Sequence, residues 1–289
     1  MKVEFEPAGD LHPYYVLDVF TDTPLEGNQL GVFPDGEPFS GEQMQRIARE
    51  LNVSETIFFL PPEAGGDARI RIFTPGLELP FAGHPVLGAS FVVGEALGLD
   101  EVKLETGNGI VPIRLERDNG RVVFGWMEQP PFPNKPYERA DEVLAALGLE
   151  RSLLPVEVYV NGPNHVYVQL PDEAAVAALQ PDLAALDTHD RLGTNCFAGS
   201  GTRWKTRMFS PSGGFMEDPA TGSAAGPLAV HLARHGRIGF GEEIEISQGA
   251  EVARPSTLYA RADGTSEQLE AVEVGGSAVI VARGEFRLP

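Results

Sequence analysis

The sequence predicts an α+β fold made of two similar halves, each a curved sheet wrapped around one central helix. Three observations carry this. Arg71-Ile72-Phe73-Thr74-Pro75 is echoed, about 136 residues later, by Arg207-Met208-Phe209-Ser210-Pro211. Gly27-Asn28 is echoed at the same offset by Gly162-Pro163-Asn164, each ahead of an apolar strand. A turn of small residues follows each long copy, and a small-residue apolar helix follows each turn. Matches that keep their order at one offset mark a duplicated unit.

The elements of each half run in the same order. In the first, alternating segments (YYVLDVF, LGVF, ETIFFL, ARIRIFTP) read as strands with one buried face. The helix PVLGASFVVGEALG comes next and closes near Gly98. It has no polar face, so it belongs inside the wrapped sheet. The strands VKLETG, GIVPIRLER and RVVFGWM complete the half. The second half has HVYVQL and the RMFSP copy, then the helix SAAGPLAVHLARHG closing at Gly236, then EEIEISQG, STLYARAD and SAVIVARG. Glycine suits a helix C-terminus because it adopts left-handed φ at no steric cost. The stretch EQPPFPNKPYERADEV, with its four prolines, separates the halves. The expected domains are therefore 1–129 and 130–289, with the C-terminal strand a candidate to rejoin the first. A surface helix is expected over Ala140–Leu149.

Composition narrows the function classes. The 289 residues are 42% hydrophobic and 22% charged, with a net charge of -20. That charge argues against nucleic acid and anionic membrane as partners. An anionic substrate would have to be held by local backbone donors or a few placed cations. No run approaches the roughly 20 apolar residues of a membrane span, and the first residues lack a secretory pattern. A cytoplasmic protein is expected. The single cysteine, Cys196, allows no internal disulfide and reads as a buried, inert thiol. No Cys/His cluster has zinc-like spacing, so no metal is expected.

Two glycine turns open the two helices: Phe81-Ala82-Gly83-His84-Pro85 and Asp218-Pro219-Ala220-Thr221-Gly222-Ser223. A helix N-terminus presents backbone N–H groups without intrahelical partners, and its dipole favours an anion. Two such ends facing one cleft would hold a carboxylate. The competing reading is that Gly83 and Gly222 merely let a helix pack closely, with Asp218, Thr221 or Ser223 as N-caps. Glu55 opens the apolar strand Glu55-Thr56-Ile57-Phe58-Phe59, where desolvation should raise its pKa and suit it to acid–base work. The matching stretch of the second half, LGTNCFA, has no acid, so the symmetry breaks at Glu55. His84 and Asp218 are candidate supporting groups. His12, His165, His189, His231 and His235 have no partner motif and read as structural.

These segments resemble the PhzF-like family of phenazine-biosynthesis isomerases, which shares the diaminopimelate epimerase-like fold. The resemblance rests on DVFTDTPLEGNQLGVF, NVSETIFF, RIFTPGLELPFAGHPVLG and MFSPSGGFMEDPATGSAAGPLA, and it covers nearly the whole chain. It implies two barrel-like domains with the active site between them, and a homodimer. By resemblance Glu55 is the catalytic acid/base, with His84 and Asp218 assisting. Gly83, Gly222 and Ser223 would hold the substrate. Asn28 would join them, although Gln29 stands where the family usually has proline. Diaminopimelate epimerase and proline racemase use two opposed thiols in these turns, where this chain has Ala82 and Ala220. A two-thiol mechanism is thereby excluded. The expected activity is cofactor-independent proton transfer on a small carboxylic acid, with no metal, nicotinamide, flavin or pyridoxal group. The alternative is a non-catalytic small-acid binding protein, and lyase or hydrolase chemistry ranks behind both.

Overall fold

The structure, a computed structural model, describes residues 10–130, 132–213 and 215–287. The stretch through Gly9 that was read for a secretory pattern, and Gly214 of the second repeat motif, lie outside the described residues.

The first half contains β1 (Leu11–Val19), β2 (Asn28–Phe33), α1 (Gly41–Leu51), β3 (Glu55–Leu60), β4 (Ala68–Phe73), β5 (Glu78–Leu79), α2 (Gly83–Leu97), β6 (Glu101–Thr106), β7 (Gly109–Asp118) and β8 (Arg121–Gln129). The second contains β9 (Asn134–Pro136), α3 (Ala140–Ala146), β10 (Glu157–Val160), β11 (Asn164–Gln169), α4 (Glu173–Ala177), α5 (Leu183–Leu186), β12 (Leu192–Ser200) and β13 (Arg203–Ser210). It continues with β14 (Phe215–Asp218), α6 (Gly222–Arg234), β15 (Glu243–Gln248), β16 (Ser256–Gly264), β17 (Leu269–Gly276) and β18 (Ala278–Arg287).

The duplication is visible in the strand pairing. In the first half β1/β2 is antiparallel, β2/β3 parallel, β3/β4 antiparallel, β4/β6 parallel, and β6/β7 and β7/β8 antiparallel. In the second, β10/β11, β11/β12, β12/β13, β13/β15, β15/β16 and β16/β17 repeat that series in the same order. β8 pairs with β17 and joins the two sheets, and the last strand, β18, runs antiparallel along β1.

Each sheet wraps its central helix, and the residues predicted to lack a polar face are buried. In α2 this holds from Gly83 through Phe91, and in α6 from Gly222 through Ala233. α2 ends at Gly98, whose φ of 67° closes the helix as predicted. α6 ends one residue before its expected glycine, with His235 as C-cap and Gly236 (φ 66°) just beyond. The expected surface helix over Ala140–Leu149 stops at Ala146, because Gly148 turns left-handed at φ 70°. Helix α1 is an element the strand pattern did not announce. Ser40 and Gln43 form a reciprocal capping box at its start, and Met44, Ile47 and Ala48 supply its buried stripe. Among the described residues no helix is long and apolar enough to cross a membrane.

Candidate active site

α2 and α6 meet head to head. A Cβ on Gly83 would stand 2.7 Å from the Ser223 amide nitrogen, and one on Gly222 would stand 3.2 Å from that of His84. Only glycine lets the two backbones come this close. Neither end is capped by a side chain: Ala82 and Thr221 hold the N-cap positions without a cap hydrogen bond. The side-chain caps of the competing reading are absent, while the close helix packing that it expected of Gly83 and Gly222 is present. Asp218 accepts from the Thr221 hydroxyl (2.6 Å) and the Asn28 amide (2.8 Å). First-turn residues of both helices, Gly83, His84, Gly222 and Ser223, line a cavity of about 250 Å³ bounded by residues of both halves.

Glu55, His84, Asp218, Gly83, Gly222 and Ser223 all line that cavity. Asn28 differs from its expected role. It is fully buried behind Asp218 and gives its amide hydrogens to Asp218 Oδ1 and the Ala220 carbonyl (2.9 Å), so it positions the acid and stands off the cavity wall.

β3 places Glu55 at the start of a strand whose next four residues are all buried. Its Oε2 is buried and has no hydrogen-bond partner. Burial, and secondarily the nearby Asp218 charge, raise its pKa well above the ordinary glutamate range. His84 Nε2 lies 3.3 Å from Glu55 Oε2 and 3.3 Å from the Gln29 carbonyl oxygen. That carbonyl can only accept, so Nε2 carries the hydrogen. Burial lowers the His84 pKa to about 3, partly opposed by the bond to Gln29. The Glu55–His84 contact is therefore between a neutral imidazole and a carboxyl, without an ion pair. Asp218 is pushed up to about 6 by burial, against the pull of its Thr221 and Asn28 bonds. Two carboxyl groups of raised pKa beside an imidazole held neutral make a site in which a carboxyl can hold a proton and give it up.

The repeat shows what replaces Glu55 in the other half. Thr56 lies opposite Phe73 and Thr194 opposite Phe209, so the counterpart of Glu55 is Gly193. A Cβ there would stand 2.7 Å from His165 Nδ1. His165, read as structural from the sequence, is in fact on the cavity wall. Asn195 Nδ2 faces the Val166 and Gly193 carbonyls (3.2 and 3.1 Å) and His165 Nδ1 (3.3 Å). Carbonyls only accept, so this atom is the amide nitrogen, His165 Nδ1 accepts, and Nε2–H donates to Ser223 Oγ at 3.0 Å. Burial lowers the His165 pKa to about 3 and keeps the ring neutral. The chain of donors leaves the Ser223 hydroxyl hydrogen free for an oxygen in the cavity. Replacing His165 by Phe should raise KM roughly tenfold, the cost of one misdirected hydrogen bond, with kcat less affected. An unchanged KM in steady-state assays would show that the serine needs no such orientation.

Gln248 was also missed. It is buried beside the second turn, giving its amide hydrogens to the Asp218 carbonyl (2.8 Å) and Thr221 Oγ1 (3.0 Å) and accepting from Thr206 and the Thr221 amide. The helix start has a further brace. Pro227 lacks the N–H that would bond the Ser223 carbonyl four residues back, and Asn161 Nδ2 takes that carbonyl at 2.9 Å. Arg191, exposed at the rim, is the one Lys or Arg lining the cavity among the described residues. Cys196 is fully buried away from it, its thiol pKa pushed up by burial.

Comparison with known proteins agrees with this architecture. The chain belongs to the PhzC/PhzF family: the model of the phenazine biosynthesis-like proteins matches residues 17–284. It is an isomerase of that family. A trans-2,3-dihydro-3-hydroxyanthranilate isomerase of Pseudomonas aeruginosa is 54% identical over 278 residues, covering 96% of this chain and 100% of the relative. The crystal structure of a PhzF-family phenazine biosynthesis protein of Bacillus anthracis superposes with a TM-score of 0.84 at 26% identity, covering 96% of this chain and all of the other. A hydroxyproline epimerase of Agrobacterium vitis shares the fold at a TM-score of 0.63 and 13% identity, over 96% of this chain and 91% of its own.

Proposed function

We propose that the chain isomerises trans-2,3-dihydro-3-hydroxyanthranilate, or a single-ring unsaturated acid close to it, by moving a proton between carbons through Glu55. The observation that carries this reading is the buried, unpartnered Glu55 carboxyl facing a cavity closed by two uncapped helix ends. The substrate follows from the full-length similarity to the Pseudomonas aeruginosa enzyme and from a cavity of about 250 Å³, which suits one ring. The substrate carboxylate sits against the N–H groups of Gly83, Gly222 and Ser223, with the Ser223 hydroxyl donating. Glu55, in its ionised form, takes a proton from carbon. The electron pair moves through the unsaturated system toward the carboxylate, where the helix ends stabilise the growing charge. Glu55 then returns the proton at the far carbon, with neutral His84 and Asp218 steadying its position. No cofactor enters the proton balance.

The enzyme works on this reading as a cytoplasmic homodimer. The reduced, buried thiol is consistent with the compartment, and the family resemblance supports the dimer. The substrate assignment is tested by incubating the purified enzyme with trans-2,3-dihydro-3-hydroxyanthranilate and following its ultraviolet spectrum. Turnover at kcat/KM above roughly 10⁴ M⁻¹s⁻¹ is the expected result. Absence of turnover, with conversion of another small acid, would overturn the assignment.

A further inference from the structure

At the end of α6 remote from the cavity, several side chains converge on one carboxylate oxygen. Glu157 Oε2 lies 3.3 Å from His231 Nδ1 and 3.1 Å from His235 Nε2. It also accepts from the Tyr159 hydroxyl at 2.9 Å, and that hydroxyl stands 3.2 Å from His231 Nδ1. The two histidines are four residues apart, hence on one face of the last helical turn and its cap. Glu157 arrives from β10, and the three ligand atoms all lie within 4.8 Å of one another.

We propose that Glu157, His231 and His235 form a site for a divalent transition-metal ion of the zinc type. Zinc takes imidazole nitrogen and carboxylate oxygen at about 2.0–2.1 Å in a tetrahedron, which separates neighbouring ligand atoms by about 3.3 Å. The two carboxylate–imidazole distances match that edge. The helix C-terminus adds partial negative charge on the side where the ion would sit. Arg234, on the same helical turn, directs its hydrogen to Asn134 Oδ1 (2.8 Å).

The Tyr159 hydroxyl donates to the same carboxylate oxygen and steadies it from outside the coordination shell. Water fills the fourth position. It can enter beside His235, whose side chain is 21% exposed.

His231 is nine residues from Gly222, roughly 13 Å along the helix. The ion therefore has no access to the reacting atoms. It ties the end of α6 to β10, and the residue after β10, Asn161, holds the Ser223 carbonyl at the beginning of the same helix. Both histidines were read as structural from the sequence because their acidic partner lies 74 residues upstream of His231.

The test uses the full chain, stripped with a chelator and titrated with ZnCl2 or CoCl2. A single zinc ion per chain retained after desalting, a higher melting temperature, and the intense visible bands of tetrahedral Co2+ are expected. His235→Ala should weaken zinc binding roughly tenfold or more and abolish the rise in melting temperature. Wild-type protein that retains no zinc, or that gives Co2+ the pale spectrum of the hydrated ion, would overturn the proposal without reference to any variant. Equal zinc binding by wild type and His235→Ala would overturn it as well.

Discussion

Glu55→Gln should lower kcat by about 10²–10⁴, the range that a positioned acid–base group contributes, while the inhibitory binding of a product acid persists. Glutamine keeps the shape and one carbonyl-type oxygen but cannot carry a proton to or from carbon. The same substitution should make the protein more stable at alkaline pH. The pKa of Glu55 is raised by burial in the folded chain, so folding favours the protonated form. That contribution is fully present below the unfolded glutamate value near 4.5 and is lost as pH rises through the raised folded value. At pH 8 the unfolded chain has given up a proton that burial makes it costly for folded Glu55 to lose, and the glutamine variant bears no such cost. Thermal unfolding should therefore show Glu55→Gln melting several degrees higher at pH 8, with the gap closing toward pH 4.5. Loss of activity combined with gain of stability identifies a side chain kept for chemistry at the expense of the fold. A variant that loses both has lost a structural residue.

Gly83→Ala should damage stability and activity together. The added Cβ would fall 2.7 Å from the Ser223 nitrogen and 2.8 Å from the Gly222 carbonyl carbon, both rigid backbone atoms. The two helix ends would have to separate, and their donors would no longer converge on one carboxylate. Overpacking of this kind costs about 1–3 kcal/mol in stability, and a displacement approaching 1 Å at the substrate costs about 100-fold in rate. Gly98→Ala supplies the contrast. Its φ is left-handed, at 67°, unlike that of helical Gly83, and no atom lies within 4 Å of the would-be Cβ. It should lose about 1 kcal/mol of stability and leave kcat/KM intact. If both variants behave alike in kinetic and melting assays, the close approach of the two helices has no bearing on activity.

The repeat made much of the fold legible. The copies around Phe73 and Phe209 stand opposite matching strand positions, and the two apolar helices could only be buried. Helix α1 has its signals in the sequence, the Ser40 to Gln43 capping box and an apolar stripe, but its 11 residues carry none of the repeated motifs and lie between period-two strands. Within the site, the groups carried by motifs next to the glycine turns were legible. Those that act through side-chain hydrogen bonds were not. His165 and Asn195 sit in strands that look like ordinary core, and only the parallel pairing of β11 with β12 brings them together. Gln248 lies 30 residues after Asp218 and reaches it across the sheet. Asn28 stood in a recognised motif, but its depth behind Asp218 depends on packing between the two halves.

The central claim, that Glu55 moves the proton between carbon atoms, is tested most directly by running the isomerisation in deuterium oxide and locating deuterium in the product by mass spectrometry and NMR. The wild-type enzyme should place deuterium at the carbon that gains a proton, and Glu55→Gln should place none above the uncatalysed background. Undiminished deuterium incorporation by Glu55→Gln would contradict the account and assign the proton transfer to another group in the cavity.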